Sequence, residues 1–158
     1  MSERGQPITI LLADDDEDDR LMTRDALREA RLHNDMHTVV DGVELLQYLR
    51  KESPYAAPAA APWPGLVLLD LNMPRMDGRE ALYEIKRDPR LRSLPVVVLT
   101  TSKAEEDIVR TYELGVNSFI SKPVTFLGLV EVMKAFSRYW LEIVDLPPHP
   151  ASKRERSG

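Results

Sequence analysis

The chemically distinctive part of the chain is a run of six acidic residues at 14–19, "DDDEDD", directly behind the apolar segment ILLA. Most such runs are solvated surface, because adjacent carboxylates repel one another. Asp14 and Asp15 stand first after the apolar segment, and a third acid, Asp70, stands directly after another apolar run, LVLL. If the fold brings these three carboxylates together, they require a cation, and a hard, oxygen-ligated ion of the magnesium type suits them.

Hydroxyl groups and one ammonium group follow two further apolar runs. Thr100, Thr101 and Ser102 come after VVVL, and Lys122, followed by Pro123, comes after SFIS. Each alone has an ordinary explanation, such as a strand-end hydroxyl bonded to its own backbone or a solvated lysine. Together with the acids they suit phosphoryl transfer, in which an ionised carboxylate attacks phosphorus and gives an aspartyl phosphate. Positioning and charge neutralisation are then the main requirements, and no separate base is needed.

The secondary-structure elements that position these residues are predicted from short apolar runs that alternate with segments of helical apolar spacing. Five short runs predict strands, of which all but His37–Val40 read as buried on both faces. The runs are Ile8–Ala13, His37–Val40, Leu66–Leu69, Val96–Thr100 and Ser118–Ser121. Apolar stripes at helical spacing lie between them: Leu21, Met22, Ala26, Leu27 and Ala30; Val43, Leu45, Leu46 and Leu49; Ala81, Leu82 and Ile85; Ile108, Val109, Tyr112 and Leu114. The alternation predicts a parallel, doubly wound, three-layer α/β domain, whose ligands bind at the carboxyl ends of the strands.

The rest of the acid run has a structural explanation. Asp16 is predicted to cap the first helix, with Glu17, Asp18 and Asp19 in the first turn, where the helix dipole favours negative charge. Asp16 and Asp19 have the spacing of a capping box. Only Asp14 and Asp15 of the six are therefore expected to take part in chemistry.

Composition excludes several classes of function. The 158 residues include no cysteine, which leaves neither disulfides nor a thiol nucleophile, and the three histidines lack zinc-site spacing. A net charge of −5 argues against broad nucleic-acid binding. No signal peptide or membrane-spanning run is visible, so we expect a cytoplasmic protein without membrane association.

The domain organisation is predicted to be simple. We expect one domain over residues 1–145, including a long last helix from Phe126 to Val144, and a disordered polar tail over 146–158. The stretch Ser53–Gly65, rich in proline and alanine, is predicted to be an extended loop between the second helix and the third strand.

Four motifs in order give the chain a family resemblance. The motifs are LLADD at 11–15, LLDLNMPRMDG at 68–78, VVVLTTS at 96–102 and FISKPV at 119–124. As a set they resemble the receiver domain of two-component response regulators, over residues 8 to about 135. The resemblance implies a flavodoxin-like (βα)5 fold with strand order 2-1-3-4-5, an order that chemotaxis receivers exemplify.

The resemblance also implies roles for individual carboxylates. Asp70 looks like the phosphoacceptor. Asp15 looks like a direct ligand of Mg²⁺, with Mn²⁺ as an alternative, and Asp14 like a ligand that acts mostly through water. Asn72 would offer its backbone carbonyl oxygen to the metal.

A second group of residues resembles the family's phosphate-binding switch. Thr100 resembles the switch hydroxyl, Phe119 the aromatic residue coupled to it, and Lys122 the phosphate-binding lysine, with a cis bond expected before Pro123. Two residues depart from the family pattern. Phe119 lacks the phenol hydroxyl of the tyrosine in many relatives, and Thr101 is bulkier than the usual alanine or glycine, which leaves the phosphoryl lifetime open.

The flanking sequence carries a narrower resemblance. The segment that begins TTSKAEED, together with YWLEIVDLP, is similar to stand-alone regulators paired with phytochrome histidine kinases. This similarity implies a sensor histidine kinase of the phytochrome type as partner. Thirteen residues after 145 are too few for an output domain, so output through a partner protein, a phosphorelay and a phosphate sink all stay open.

The last helix suggests self-association. A second apolar stripe winds around it, formed by Val132, Phe136, Tyr139, Trp140 and Ile143. A monomeric surface helix needs one stripe only. We therefore expect a homodimer through the fourth helix, fifth strand and fifth helix, the alternative being that the 53–65 loop covers the second stripe.

Two other functions compete with the response regulator. An aspartate-nucleophile phosphatase of the haloacid dehalogenase type would need an acid two residues after Asp70, where this chain has Asn72. A phosphate-independent interaction domain would not need the intact set of acids, hydroxyl and lysine. The prediction is therefore a phosphoacceptor that assists its own phosphorylation and dephosphorylation, and not an enzyme acting on other substrates.

Overall fold

A computed structural model describes residues 8–57, 61–101, 105–116 and 118–136. Within these ranges five strands alternate with five helices, as the sequence pattern predicts. The strands are β1 (Ile10–Ala13), β2 (Met36–Val39), β3 (Leu66–Leu69), β4 (Val96–Thr100) and β5 (Ser118–Ser121). The helices are α1 (Glu17–Glu29), α2 (Gly42–Leu49), α3 (Gly78–Arg87), α4 (Glu105–Glu113) and α5 (Phe126–Phe136). No helix in the described ranges is long and apolar enough to cross a membrane.

The strands form one parallel sheet in the order β2-β1-β3-β4-β5, which confirms the predicted topology. Because β1 and β3 are neighbours with Ala13 opposite Leu69, the residues that follow these two strands leave the sheet side by side. β4 lies on the other side of β3, and β5 completes that edge. The carboxyl ends of β1, β3, β4 and β5 therefore share one edge of the domain.

Side chains that alternate along the central strands build a core on each face of the sheet. One core includes Leu11, Val67 and Val98 with the buried faces of α2 and α3. The other includes Leu12, Leu68 and Leu99 with those of α1 and α5. Burial on both faces is why β1, β3 and β4 read as continuous apolar runs.

The two edge strands are less buried than the central three. The middle residues of β2 are half-buried, and no residue of β5 is fully buried. The prediction of a strand covered on both faces was therefore wrong for β5. Its position at the end of the strand order explains the difference, since an edge strand has a neighbouring strand on one side only.

The described part of α5 corrects the proposed dimer contacts. Phe136 is 4% exposed and packs in the same core as Leu129 and Met133, from which it is separated by seven and three residues. That spacing returns a side chain to the same helix face, so its assignment to a second, exposed stripe was wrong. Val132 is partly buried against this core as well. Tyr139, Trp140, Ile143 and the predicted tail over 146–158 lie outside the described residues.

Two helical stripes differ in detail from the pattern. In α1, Leu21 of the predicted apolar stripe is exposed, whereas the polar residue Thr23 is buried. The Thr23 hydroxyl donates to the Asp19 carbonyl oxygen at 2.8 Å. That bond satisfies the buried hydroxyl, which allows a polar residue to face the core. In α4, Tyr112 is also exposed.

The described parts of the 53–65 segment contain neither helix nor strand, as predicted, but they are anchored to α2. The Tyr48 hydroxyl donates to the Pro62 carbonyl oxygen at 2.8 Å, and the Lys51 ammonium group donates to the carbonyl oxygen of Ala61, which is fully buried. The rings of Tyr48 and Tyr55 lie 5.2 Å apart. This segment therefore packs on the second helix.

Candidate functional site

Three carboxylates meet at the carboxyl edge of the sheet. Asp14 follows β1 and Asp70 follows β3, and the Asp70 N–H donates to the Ala13 carbonyl oxygen at 3.0 Å. One oxygen from each of Asp14, Asp15 and Asp70 lies within 4.8 Å of the others. Asp14 and Asp70 are buried, whereas Asp15 is exposed. The three carboxylates expected at the strand ends therefore lie together.

Lys122 completes the charge balance of this cluster. Its backbone N–H donates to the Thr100 carbonyl oxygen at 2.7 Å, which fixes the residue beside the end of β4. Its ammonium nitrogen lies 2.7 Å from Asp14 Oδ2 and 3.4 Å from Asp70 Oδ2. The side chain is only 7% exposed, so the ion pairs are shielded from solvent.

Burial and the ion pairs act in opposite directions on the titrating groups. Burial raises the pKa of Asp14 above its ordinary value, although the bond from Lys122 opposes that shift. Burial alone would lower the pKa of Lys122, but the bond to Asp14 and the charges of Asp70 and Asp19 outweigh it and raise that pKa. Lys122 is therefore a permanent cation at neutral pH.

The Asp70 carboxylate is oriented by donors from three segments. The Thr100 hydroxyl, fully buried at the end of β4, donates to Asp70 Oδ1 at 2.8 Å. The Asn72 backbone N–H donates to the same oxygen at 3.1 Å. Oδ2 faces the Lys122 ammonium group. The carboxylate is thus held in one orientation before any ligand arrives.

The loop after β3 is fixed by close contact with two helices. A Cβ atom on Gly78 would stand 2.3 Å from the Asp70 carbonyl oxygen, so only glycine fits where α3 begins. Asp77 caps α3 in a capping box with Glu80. The Arg75 guanidinium binds Asp41 Oδ2 at 2.7 Å, which ties the loop to the N-cap of α2. Sequence reasoning gave no function to this Arg75–Asp41 pair.

Two residues of α1 reach the site and were not expected there. Asp19 Oδ2 lies 3.2 Å from the Lys122 ammonium nitrogen. The Arg20 guanidinium donates to the Asp14 carbonyl oxygen at 2.8 Å. The prediction of Asp16 as N-cap is confirmed, since its carboxylate accepts from the Asp19 N–H at 3.0 Å. The only sequence signal for Asp19 and Arg20 was their place in the first turn after the metal-type acids.

The remaining predicted switch residues are less tightly connected to the cluster. Phe119 is half-buried against the core, and its backbone N–H donates to the Tyr112 hydroxyl at 3.2 Å. Thr101 is exposed, and Ser102 lies outside the described residues. The coupling of Phe119 to Thr100 and the crowding by Thr101 stay predictions.

The bond before Pro123 differs from the expectation. Among the described residues the cis peptide bond is Ser53–Pro54, so the prediction of a cis Lys122–Pro123 bond was wrong. The trans form is the lower-energy isomer even before proline. With a trans bond the Lys122 ammonium already reaches Asp14 and Asp70, so the contacts of the site do not demand the less stable isomer.

The donor set fits a divalent cation. Asp14, Asp15 and Asp70 offer oxygen ligands only, at mutual distances that a single ion can bridge, and such ligands suit Mg²⁺ or Mn²⁺. Asn72 is exposed beside them, and its carbonyl oxygen as a ligand stays a prediction. The arrangement therefore places a cation site, a hydroxyl group and an ammonium group around the two carboxylate oxygens of Asp70.

Comparisons with known proteins agree with this geometry. The model of the response regulator receiver domain matches residues 10–134. The response regulator Rcp1 of Synechocystis is 37% identical over 145 residues, which cover 92% of this chain and 97% of Rcp1.

Solved structures give the same result. The structure of the phosphorylated cyanobacterial phytochrome response regulator RcpA is 41% identical, with a TM-score of 0.83, over 90% of this chain and 100% of RcpA. The Mn²⁺-bound form of Rcp1 is 37% identical, with a TM-score of 0.80, and covers 90% of this chain and 100% of that structure.

Proposed function

Because this chain belongs to the response regulator receiver domain family, we propose that it accepts a phosphoryl group from a histidine kinase on Asp70. The observation that carries the proposal is the orientation of the Asp70 carboxylate by Thr100, Asn72 and Lys122. RcpA, which is similar over 90% of this chain, is a phosphorylated response regulator.

The transfer itself needs little from the protein beyond orientation. An Asp70 carboxylate oxygen forms a bond to phosphorus while the bond between phosphorus and the kinase histidine nitrogen breaks. The electron pair of that bond stays on the nitrogen, and solvent protonates the leaving imidazole. Lys122 offsets the charge that the phosphoryl group brings, and Thr100 can move its hydroxyl from the carboxylate to a phosphoryl oxygen.

A divalent cation belongs to this proposal. Asp14, Asp15 and Asp70 would hold it with the Asn72 carbonyl oxygen, and Mg²⁺ is the proposed ion, with Mn²⁺ able to replace it, as in the Mn²⁺-bound form of Rcp1. When bound, the ion neutralises the carboxylates and the phosphoryl oxygens. Asp14 would then share its charge between the ion and Lys122, and Lys122 would be available to a phosphoryl group on Asp70.

Phosphorylation would be read out by a shift between two conformations. Thr100 changes partner when it binds the phosphoryl group, and Phe119 on the neighbouring β5 responds to the space that Thr100 leaves. A shift of this kind needs differential contacts in the two states, and the Thr100 hydroxyl supplies one of them.

The partner we propose is a phytochrome-type histidine kinase in the cytoplasm. The support is the similarity to RcpA, a phytochrome response regulator, and to Rcp1 over nearly its full length. We propose further that the chain assists its own dephosphorylation and forms a homodimer through α5 and β5. Phe136 has no part in that interface, because it is buried within one chain.

Phosphotransfer profiling tests the function directly. Radiolabelled histidine kinases of the source organism, phytochrome types first and in both light states, are mixed with the wild-type chain and with Asp70→Asn. We expect label on the wild-type chain only, fastest from a phytochrome-type kinase, and none after chelation of divalent ions. Label on the Asp70→Asn chain would refute the phosphoacceptor assignment, and equal transfer from unrelated kinases would refute the phytochrome pairing.

Association is tested separately by sedimentation. At tens of micromolar protein we expect a dimer, which phosphorylation strengthens. A monomer with and without a phosphodonor would refute the dimer.

A further inference from the structure

Lys122 has a third carboxylate partner that is not one of the three clustered acids. The ammonium nitrogen lies 3.2 Å from Asp19 Oδ2, between its distances to Asp14 and Asp70. The Asp19 side chain is 32% exposed, whereas those of Lys122, Asp14 and Asp70 are nearly buried. Asp19 therefore approaches the buried ammonium group from the solvent side.

The capping of α1 explains why Asp19 is available for this contact. At the third helical position an acid commonly bonds back to the backbone N–H of the N-cap residue. Here that N–H, of Asp16, donates to Asp14 Oδ1 at 3.0 Å instead. The Asp19 backbone is fixed at both ends, since its N–H donates to the Asp16 carboxylate and its carbonyl oxygen accepts from the buried Thr23 hydroxyl. The Asp19 carboxylate is thus directed to Lys122 by a rigid turn.

We propose that Asp19 is a positioning residue that holds the Lys122 ammonium group in competition with the phosphoryl group on Asp70, and so slows phosphorylation. The inference rests on the proposed function of Asp70. A cation at Asp14, Asp15 and Asp70 would offset the charge of those acids, but Asp19 is not in that cluster. It therefore remains a rival partner for Lys122, and its charge repels an incoming phosphate anion.

The chain offers a matched control for removing this charge. Asp18 precedes Asp19 in the same turn of α1, is exposed, and is not among the partners of Lys122. Asp18→Asn and Asp19→Asn therefore change net charge and helix-dipole interaction equally, and only the second removes a Lys122 contact. Asp19→Glu keeps the charge at this position.

The decisive measurement is the rate of phosphorylation by phosphoramidate at saturating Mg²⁺, which excludes effects on kinase docking. In this reaction an Asp70 oxygen bonds to phosphorus as the phosphorus–nitrogen bond breaks, and the ammonium nitrogen of the donor leaves with the electron pair as ammonia. We expect Asp19→Asn to react about fivefold faster than Asp18→Asn at low salt, the effect of one partly exposed ion pair. The difference should shrink at high salt. Asp19→Glu should react at the wild-type rate.

A second measurement needs no metal. In the metal-free protein, proton exchange of the Lys122 ammonium group, followed by nitrogen-15 NMR, should be faster in Asp19→Asn than in Asp18→Asn. Equal exchange, or an equal or slower reaction with phosphoramidate in Asp19→Asn, would overturn the inference. If the wild-type chain takes up no phosphoryl group on Asp70, the proposed function itself fails. If the wild-type chain is phosphorylated but Asp19→Asn and Asp18→Asn react equally fast, only the inference about Asp19 fails.

Discussion

At the scale of single residues, the site depends on a few buried polar contacts. Thr100 is fully buried and donates to Asp70 Oδ1. Lys122 pairs with the acid after β1, with Asp19 of α1 and with the acid after β3. Among the described residues no buried side-chain polar atom lacks a hydrogen-bond partner. A substitution that removes one of these donors or acceptors therefore leaves its buried partner unpaired, and the cost follows from that loss.

Thr100 allows that cost to be measured. Thr100→Val removes the hydroxyl that donates to the ionised Asp70 at nearly constant volume. We expect the free energy of unfolding in chelator to fall by about 1.5–3 kcal/mol, as for a buried hydrogen bond to a charged group. Thr100→Ser retains the donor, so its free energy of unfolding should fall by less. Both values are measured by urea titration in chelator. An unchanged free energy of unfolding in Thr100→Val would show that the hydroxyl contributes nothing to stability.

At the scale of elements, side-chain bridges join segments that the backbone of the sheet does not connect. Arg75 in the loop after β3 binds the N-cap of α2, and Arg79 at the start of α3 binds Asp107 in α4. Both bridges start within ten residues of Asp70. The loop beside the carboxylate is thus linked to the start of α2, and the helix that follows the loop is linked to α4.

The Arg75–Asp41 bridge should make stability depend on pH. Burial alone would raise the pKa of Asp41, but the bond from Arg75 and the helix N–H groups outweigh it and lower that pKa below its unfolded value of 3.8. A lowered pKa stabilises the fold above the unfolded value, and the stabilisation is lost as pH falls through the folded pKa. We expect Asp41→Asn, which keeps a cap, to be less stable than wild type at pH 7.

Stability is measured as the midpoint of urea denaturation. The difference in midpoint between Asp41→Asn and wild type should narrow steadily as the pH falls below about 4. Asp25→Asn serves as the control, because Asp25 is exposed on α1. A difference between Asp41→Asn and wild type that is independent of pH would contradict an ionic origin.

The bridge between α3 and α4 should behave as a coupled pair. The Arg79 guanidinium binds both oxygens of Asp107, at 2.7 and 2.6 Å, and the two side chains are 28% and 14% exposed. In a double-mutant cycle with Arg79→Met and Asp107→Asn, we expect a coupling energy of about 1 kcal/mol from urea denaturation. The same cycle with Arg87 and Glu84, a more exposed pair at 3.8 Å with side chains 61% and 32% exposed, should give a smaller value. A coupling near zero for Arg79 and Asp107 would mean that the bridge does not join the helices.

At the scale of the whole molecule, the fold was predictable because its signals are local and repeated. The alternation of apolar runs with helical stripes, and the rule that polar residues gather at strand ends, placed Asp14, Asp70, Thr100 and Lys122 correctly at one edge. The strand order came from the family resemblance and is the observed one.

What the sequence did not reveal depends on directions in space that spacing does not encode. Asp19 has the position of a helix-dipole acid, and only the occupation of the Asp16 N–H by Asp14 turns its carboxylate to Lys122. Phe136 fits two stripes of the last helix equally well until its packing with Met133 is known. Likewise, the run of β5 by itself did not show that none of its residues is fully buried, although the predicted strand order placed β5 at the edge.

Several exposed apolar side chains lie near the site without being part of its polar contacts. Leu21 on α1 is 57% exposed, and Val124 and Leu127, which lie within five residues of Lys122, are 93% and 72% exposed. Helices α1 and α5 pack against each other, so these side chains flank the side of the site that carries Lys122. Exposed apolar groups beside a charged site suit a protein partner, and we expect the kinase to bind them.

Leu127→Ser should therefore slow phosphotransfer from the cognate kinase about tenfold, as for a contact at the centre of an interface, through a higher Michaelis constant. Phosphorylation by phosphoramidate should stay at the wild-type rate, because no site residue is changed. Tyr83→Ser removes an exposed aromatic ring from α3, where it stacks with Arg87, and should affect neither reaction. Equal slowing with kinase and phosphoramidate would place Leu127 in the chemistry of the site, and no slowing with either would exclude this surface from kinase binding.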